Sequence, residues 1–319
     1  MKLGTIVFYN TENFFDISDD PDKFENEFTP TGSKKWTKNR YENKVGKISS
    51  VLSEIGKKET GELPLVIGLA EVENKNVLTD LVQSQHLAEF GYGFIHFDSL
   101  DERGIDTAIL YRREKVIVKK AEPIRSVFFN ENRAENRDYT RDVLYTELTL
   151  EGKSIHLFVA HLPSRRDSGK NTAFRNQILN EIRVKIDSIL EKNIESQIIL
   201  MGDLNGNPND KDAQSILKSK GEIAIHEKEL YNPMLNMLYK KGTLKHEGKW
   251  IIFDQILFSK YFLSNSEAKV QFHSAHIYND RSVQEWDKKY KGMPFRTFAG
   301  TKYLGGYSDH FPVYAILNY

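Results

Sequence analysis

Short apolar runs alternate with polar stretches along the chain, and their spacing separates strands from helices. GTIVFY (4–9) is a brief β-rich run that gives way to Asn10, and LPLVIGLA (63–70) stays apolar up to Glu71, as a strand buried on both faces does. DTAILYRR (106–113) and KVIVKK (115–120) read as strands, and VLYTELTLEGKSIHLFVAHLP (143–163) as two strands around a turn at Glu151-Gly152-Lys153. SQIILMGD (196–203), WIIFDQILFS (250–259) and VYAILNY (313–319) complete the predicted strands. Helical spacing is clear in two places. Val45, Ile48, Leu52 and Ile55 mark one face of 41–56, which Gly56 closes, and Phe174, Ile178, Ile182, Ile186 and Leu190 mark one face of 171–190. NVLTDLV (76–82) is a third, shorter helix. Hairpins mixed with helical crossovers predict two packed mixed β-sheets with helices outside, rather than one parallel sheet. No segment has the composition of a linker, so a single domain spanning 1–319 is expected. Residues 272–307 form a long polar and aromatic stretch without strong periodicity, which predicts a functional or mobile segment.

The strands end in a recurring way. Asn10 and Glu12, Glu71, His161, and Asp203 and Asn205 each follow an apolar run; Asp309 and His310 precede the last one, and Asp254 sits inside another. A buried carboxylate without a partner costs roughly several kcal/mol, so these groups are most economically explained as converging on one polar centre. Glu12, Glu71, Asp309 and the amide of Asn10 are hard oxygen donors suited to Mg²⁺ or Mn²⁺. His310, Asp254 and His161 add proton transfer and hydrogen bonding near neutral pH. A hard cation with imidazoles and amides is the equipment for hydrolysing a phosphate ester.

Composition narrows the reading. The chain has no cysteine, which excludes disulfides, thiolate metal sites and cysteine nucleophiles. No apolar run approaches the roughly 18 residues of a membrane span, and the N-terminus lacks the pattern of a signal peptide. The compartment stays open on that basis: cytoplasmic, or secreted if the sequence has been trimmed. Forty-five basic and 45 acidic residues cancel, so the molecule as a whole is no electrostatic magnet for nucleic acid. Locally, the stretch 33–47 is basic around Trp36 and Tyr41. It reads first as a solvated loop and helix start, and alternatively as a phosphate-contacting arm with a stacking aromatic.

Taken together and in order, YNTENF, GLAEVEN, HLPSR, GDLNGNP, FDQILFS and YSDHFPV resemble the endonuclease/exonuclease/phosphatase superfamily, with its deoxyribonuclease I-like fold. The resemblance runs from Asn10 to Val313. It implies a four-layered α/β/β/α sandwich in which two mixed sheets are flanked by outer helices. It also implies that Glu71 is the principal metal carboxylate, with Asn10, Glu12 and Asp309 beside it. Asp203 and Asn205 would face the attacking water and the phosphate. His310 would be the catalytic imidazole, Asp254 the carboxylate that orients it, and His161 a second imidazole on the phosphate. Sequence leaves open whether Asp203 or His310 is the general base; if His310 pairs with Asp254 its pKa should rise, which would leave Asp203 as base. The implied activity is divalent-metal-dependent phosphodiester hydrolysis, with DNA or RNA as substrate and a monomer as the expected form. The alternative is a phosphoesterase for lipid head groups or small phosphorylated molecules, sphingomyelinase-like or inositol-phosphate-phosphatase-like. A lipid-directed enzyme should expose an apolar loop, for which Phe128-Phe129 is the candidate.

Further substrate contacts are expected around these motifs. Arg103 in RGIDTAILY and Arg141 in YTRDVLY are candidates, although an Arg141–Asp142 ion pair is an equal reading of the latter. Ser164, Arg165 and Arg166 follow His161 and precede a helix, where guanidinium groups and backbone amides bind phosphate well. Arg175 would face the same way, and Arg296, Tyr303 and Tyr307 would form one groove wall. A phosphate-binding G-x-x-x-x-G-K loop, an EF-hand at DLNGNPNDKDAQ and a zinc site at His273-x-x-His276 all fail for want of required residues.

Overall fold

The computed structural model describes residues 2–18, 26–129, 137–164, 170–246, 248–287 and 289–319. Among these, two sheets carry the fold. In the first, Leu3–Phe14 runs parallel to Val66–Val72 and antiparallel to Val313–Asn318; Gln271–Ile277 lies outside the latter, and Asp106–Arg112 and Tyr92–His96 extend the other side. In the second, Ile198–Asp203 runs parallel to Lys153–His161 and antiparallel to Asp254–Ser259; Val143–Leu150 and Val116–Ile124 continue one edge, and Leu230–Tyr231 and Ser219–Lys220 the other. Both sheets therefore place a parallel pair at the centre, which requires a crossover and so a helix on a face.

Side-chain alternation shows which face is which. Leu157 and Val159 on one central strand, with Ile199 and Met201 on its neighbour, belong to the core shared with the first sheet. The intervening Phe158, Ala160, Ile198 and Leu200 pack instead with Ile178, Leu179, Ile182 and Ile186 of helix Lys170–Lys192. Strands covered on both faces have no room for polar positions, hence their unbroken apolar runs. At Gly68 the sheets lie too close for a larger residue, because a Cβ there would stand 2.7 Å from Met201 Sδ. Helices Lys38–Leu52 and Lys75–Val82 pack on each other and contribute to the first sheet's core. The layers are thus helix, sheet, sheet, helix, as expected.

The differences from the sequence reading have physical causes. WIIFDQILFS is not one strand: Lys249–Ile251 pairs with Leu244–His246, and a new strand begins at Asp254. Gln271–Ile277 is a strand inside the stretch that lacks periodicity, and Tyr92–His96 is another strand the pattern does not flag. Both are sheet edges with one neighbour each, where half-buried positions blur alternation. Trp36 is fully buried, its indole N–H donating to Phe15 O at 3.0 Å, and Tyr41 is buried against Phe14. The alternative reading of these rings as exposed stacking platforms is therefore incorrect. No described helix is long and apolar enough to cross a membrane.

Candidate active site

The two sheets bring their polar strand ends together by different devices. In the second sheet Asp203 is the register partner of His161 on one side and of Asp254 on the other, so three adjacent strands present a row of side chains. Gly202 permits this row, since a Cβ there would stand 2.2 Å from Ala160 O. In the first sheet the devices are bulges. Pairing slips between Ala70 and Val72, leaving Glu71 as the extra residue at φ 62°, and slips again between Asn10 and Phe14, with Glu12 and Asn13 at φ 53° and 50°. An extra residue bends a strand and re-aims its side chain. Left-handed backbone at a non-glycine costs of order 1–3 kcal/mol and persists only where surroundings enforce it. Asn205 shares this conformation at φ 46°.

Asn10 links the sheets. Its Nδ2 donates to Asp203 Oδ2 at 3.0 Å and to Glu71 Oε1 at 3.3 Å. Glu71 Oε2 accepts the Asn13 backbone N–H at 2.8 Å, and Asp203 Oδ1 accepts that of Asn205 at 2.9 Å. His161 Nε2 lies 3.8 Å from both Glu71 Oε1 and Asp203 Oδ2. His310 Nδ1 is bonded to Asp254 Oδ2 at 2.8 Å, while its Nε2 stands 3.9 Å from Asp203 Oδ2 and 4.0 Å from Asp309 Oδ1. The turn before the last strand is fixed by Ser308, whose hydroxyl donates to Asn10 O and accepts the His310 N–H. Gly306 lets it close in, because a Cβ would meet Phe295 O at 2.1 Å.

The environment drives the two imidazoles apart. Burial pushes the His161 pKa down, and the charges of Arg141, Arg103 and His310 push it further, well below the usual value. Arg141 can only donate, so its contact at 3.3 Å makes His161 Nε2 an acceptor and the ring neutral. Burial also opposes charge on His310, but Asp254, Asp203 and Asp309 together outweigh it and hold the pKa well above the ordinary value. Asp203 is raised to about 6 by burial, with the Asp254 charge adding to the rise and His310 opposing it.

Not every expected residue lies within this group. Glu12 turns beneath it: its two oxygens accept backbone N–H groups of Thr297 and Phe298, and burial followed by the Asp309 charge raises it to about 7. Beside it the buried Lys44, which the sequence does not single out, donates to Thr297 Oγ1 and Tyr307 O. Arg141 pairs with Asp101 at 3.1 Å rather than with Asp142, which takes Arg125 instead. Arg141 is buried and donates to the carbonyl of His161. Arg103 donates to Oδ1 of Asn13 at 2.6 Å, the same residue whose backbone N–H donates to Glu71, and its own N–H donates to Asp101. Asp101 thus organises both arginines, a role that pairing across 40 residues of sequence hides. Ser164 is half-buried, its carbonyl accepting from Asn171; Arg165 and Arg166 lie outside the described residues. Arg175 is buried and donates to Pro163 O. Arg296 Nη2 stands 3.6 Å from Asp309 Oδ2 at the lip. Tyr303 packs on Trp36 and Phe298 beneath Arg40, and Tyr307 lies under Lys47.

The donor set fits a hard divalent cation. Carboxylates of Asp203, Asp254 and Asp309 surround the His310 imidazolium, and Glu71 adds a fourth beside the neutral His161, leaving negative charge that a cation would offset. Asp203, Asp254 and His310 could present ligand atoms within 4.8 Å of one another. A protonated His310 has no lone pair for a metal, however, and Asn10 turns its amide nitrogen to Glu71 and Asp203 while its Oδ1 accepts the Glu12 N–H, so the carboxylates of Glu71 and Asp309 are the better oxygen set.

Similar solved structures include D. rerio TDP2 complexed with single-strand DNA product, at 15% identity and a TM-score of 0.57 with 99% of each chain covered. A mannosyl-6-phosphatase of Bacteroides thetaiotaomicron matches at 15% and 0.59, covering 99% of this chain and 100% of that one. The catalytic domain of human nocturnin, with bound sulfate anion, matches at 15% and 0.56, with 100% and 95% covered. At such identities the likeness speaks for the fold. Among curated proteins, none matches the sequence. The sequence model of the Endonuclease/Exonuclease/phosphatase family matches residues 5–319, strand ends and closing turn included, and the chain belongs to that family.

Proposed function

We propose that the chain is a divalent-metal-dependent phosphodiester hydrolase of the nuclease type. The observation that carries this reading is the division of labour between two adjacent acid–base groups. Asp203, at about 6, is ionised at neutral pH yet basic enough to accept a proton, whereas His310 stays charged against Asp254. Asp203 takes a proton from the attacking water as its oxygen bonds to phosphorus; the opposite P–O ester bond breaks and its oxygen leaves as an alcohol, protonated from solvent. His310 donates a hydrogen bond to a non-bridging phosphoryl oxygen, where negative charge grows. Neutral His161, its Nε2 accepting from Arg141, lies beside Asp203 and Glu71 and adds no charge there, and Asn205, whose Nδ2 donates to Leu162 O, orients the Asp203 carboxylate through its backbone N–H. Glu71 and Asp309 would hold Mg²⁺ or Mn²⁺, with Asn10 orienting Glu71 through its Nδ2; the ion when bound supplies Lewis-acid stabilisation of phosphoryl oxygens. Glu12, with both oxygens spent on backbone N–H groups, supports this shell from below.

Arg296 at the lip, with the Arg40–Tyr303 and Lys47–Tyr307 pairs on the adjoining wall, supports a polynucleotide as substrate. The alternative, a lipid head group or small phosphorylated molecule, draws support from the mannosyl-6-phosphatase likeness and from Phe129, which is 74% exposed beside the buried Phe128. A panel with Mg²⁺ or Mn²⁺ decides between them: bis-p-nitrophenyl phosphate, p-nitrophenyl phosphate, single-stranded and duplex DNA, RNA, and sphingomyelin. Hydrolysis of the diester and of nucleic acid is expected, falling about 10²-fold or more in Glu71→Gln. Turnover of the monoester or the lipid alone would refute the nuclease reading.

A further inference from the structure

We propose that His96, Asp98 and Asp106 form a second metal site, separate from the phosphoesterase centre, for a borderline divalent ion such as Zn²⁺. Strand geometry puts the three side chains together. His96 and Asp98 are two residues apart and so share one face of the sheet. His96 is the register partner of Ala108, and continuing that antiparallel register by two residues sets Asp98 opposite Asp106. The imidazole side chain has no exposure, and among the described residues neither ring nitrogen has a hydrogen-bond partner. A buried histidine normally satisfies at least one of them. Here Nε2 lies 3.2 Å from Asp106 Oδ2 and Nδ1 lies 3.8 Å from Asp98 Oδ1; one ion can take only one of these nitrogens, and one ligand atom from each of the three residues lies within 4.8 Å of the other two. Two donors 3.2 Å apart, each with a metal bond of about 2.1 Å, subtend roughly 100° at the ion, which suits tetrahedral or octahedral coordination.

The surroundings leave this position available. Asp106 Oδ1 accepts the Ser99 N–H, leaving Oδ2 to ligate, and Asp98 is 69% exposed, which gives an ion its path from solvent. The nearby cation, Arg125, is bound through Nε and Nη2 to Asp142 and so is already compensated. One imidazole with two carboxylates favours Zn²⁺ over Mg²⁺ or Ca²⁺, which prefer all-oxygen shells. Its effect would be local. His96 and Asp106 are the two ends of the loop 97–105, and that loop carries Asp101 and Arg103, the groups that hold Arg141 and Asn13 beside the phosphoesterase centre. A bound ion would fix the loop's base.

The test uses the full chain carrying Glu71→Gln, which removes the principal ligand of the other centre. Equilibrium dialysis should show one Zn²⁺ taken up, with Co²⁺ giving visible absorption bands of nitrogen–oxygen coordination. His96→Gln should abolish uptake. Asp98→Asn, at an exposed position that folding does not need, should weaken it about tenfold or more and diminish the Co²⁺ bands. Absence of uptake in the Glu71→Gln chain, or uptake indifferent to Asp98→Asn, would overturn the assignment; the latter would leave His96 as an imidazole bridged to carboxylates by a proton.

Discussion

At Asp203 and His310, the residue scale fixes a pH profile. The proposed chemistry needs Asp203 ionised, and its carboxyl titrates at about 6, so kcat/KM should rise with pH through that value. It also needs His310 charged, and its pKa stands well above the ordinary 6.5, so the alkaline decline should begin only well above neutrality. Asp254 is the main source of that charge retention, its carboxylate 2.8 Å from Nδ1. Replacing it with Asn deletes the charge, so the alkaline limb should move toward neutral pH while kcat falls by about 10²–10⁴. Measured profiles of the wild type and Asp254→Asn check this, and an unmoved alkaline limb would show that His310 is not the charged donor to the phosphoryl oxygen. The residue types of this group are legible in the sequence; their protonation states are not. His161 and His310 follow equally ordinary strand motifs, and only the guanidinium of Arg141 beside one and the carboxylates around the other make the first neutral and the second charged.

Element geometry then decides where those groups point. Strands Lys153–His161, Ile198–Asp203 and Asp254–Ser259 align His161, Asp203 and Asp254 because their register sets the three side by side, and at Gly202 the backbones lie too close for a Cβ. Gly202→Ala would drive a methyl into Ala160 O, with no flexible side chain to yield. We expect a loss of about 3 kcal/mol, read as a lower denaturation midpoint, with diester hydrolysis falling as the row separates. A variant as stable as the wild type would show that the strands can part without cost. Both strands are plain in the hydrophobic pattern, yet the bulge that turns out Glu71 is not, because an extra residue leaves no mark on an apolar run. The same blindness joined residues 250–253 to the strand that in fact begins at Asp254.

Across the whole molecule, the site exists because two sheets converge, with Asn10 bonded to Glu71 in its own sheet and to Asp203 in the other. A cation held at Glu71 should therefore stabilise the folded chain as well as activate it. At a metal concentration about 100 times Kd the gain is about 2.7 kcal/mol, so Mg²⁺ or Mn²⁺ should raise the melting temperature of the wild type and leave Glu71→Gln almost unmoved. Calorimetry with and without chelator measures this, and an equal shift in both proteins would place the ion elsewhere. Net charge is zero, so attraction of a polyanion would rest on the local wall of Arg40, Lys47 and Arg296 rather than on the global field.

The sequence by itself determined the layered architecture and the roster of polar strand ends, because burial on both faces writes itself into apolar runs and each carboxylate that interrupts them needs a reason. Tertiary structure alone decided which of those groups meet. Asn10 reaches Asp203 across 193 residues and Glu12 reaches Thr297 across 285, while Trp36 went into the core and Arg141 turned from Asp142 to Asp101. Such pairings depend on how the sheets are stacked and where their strands bulge, and chain spacing carries no record of either.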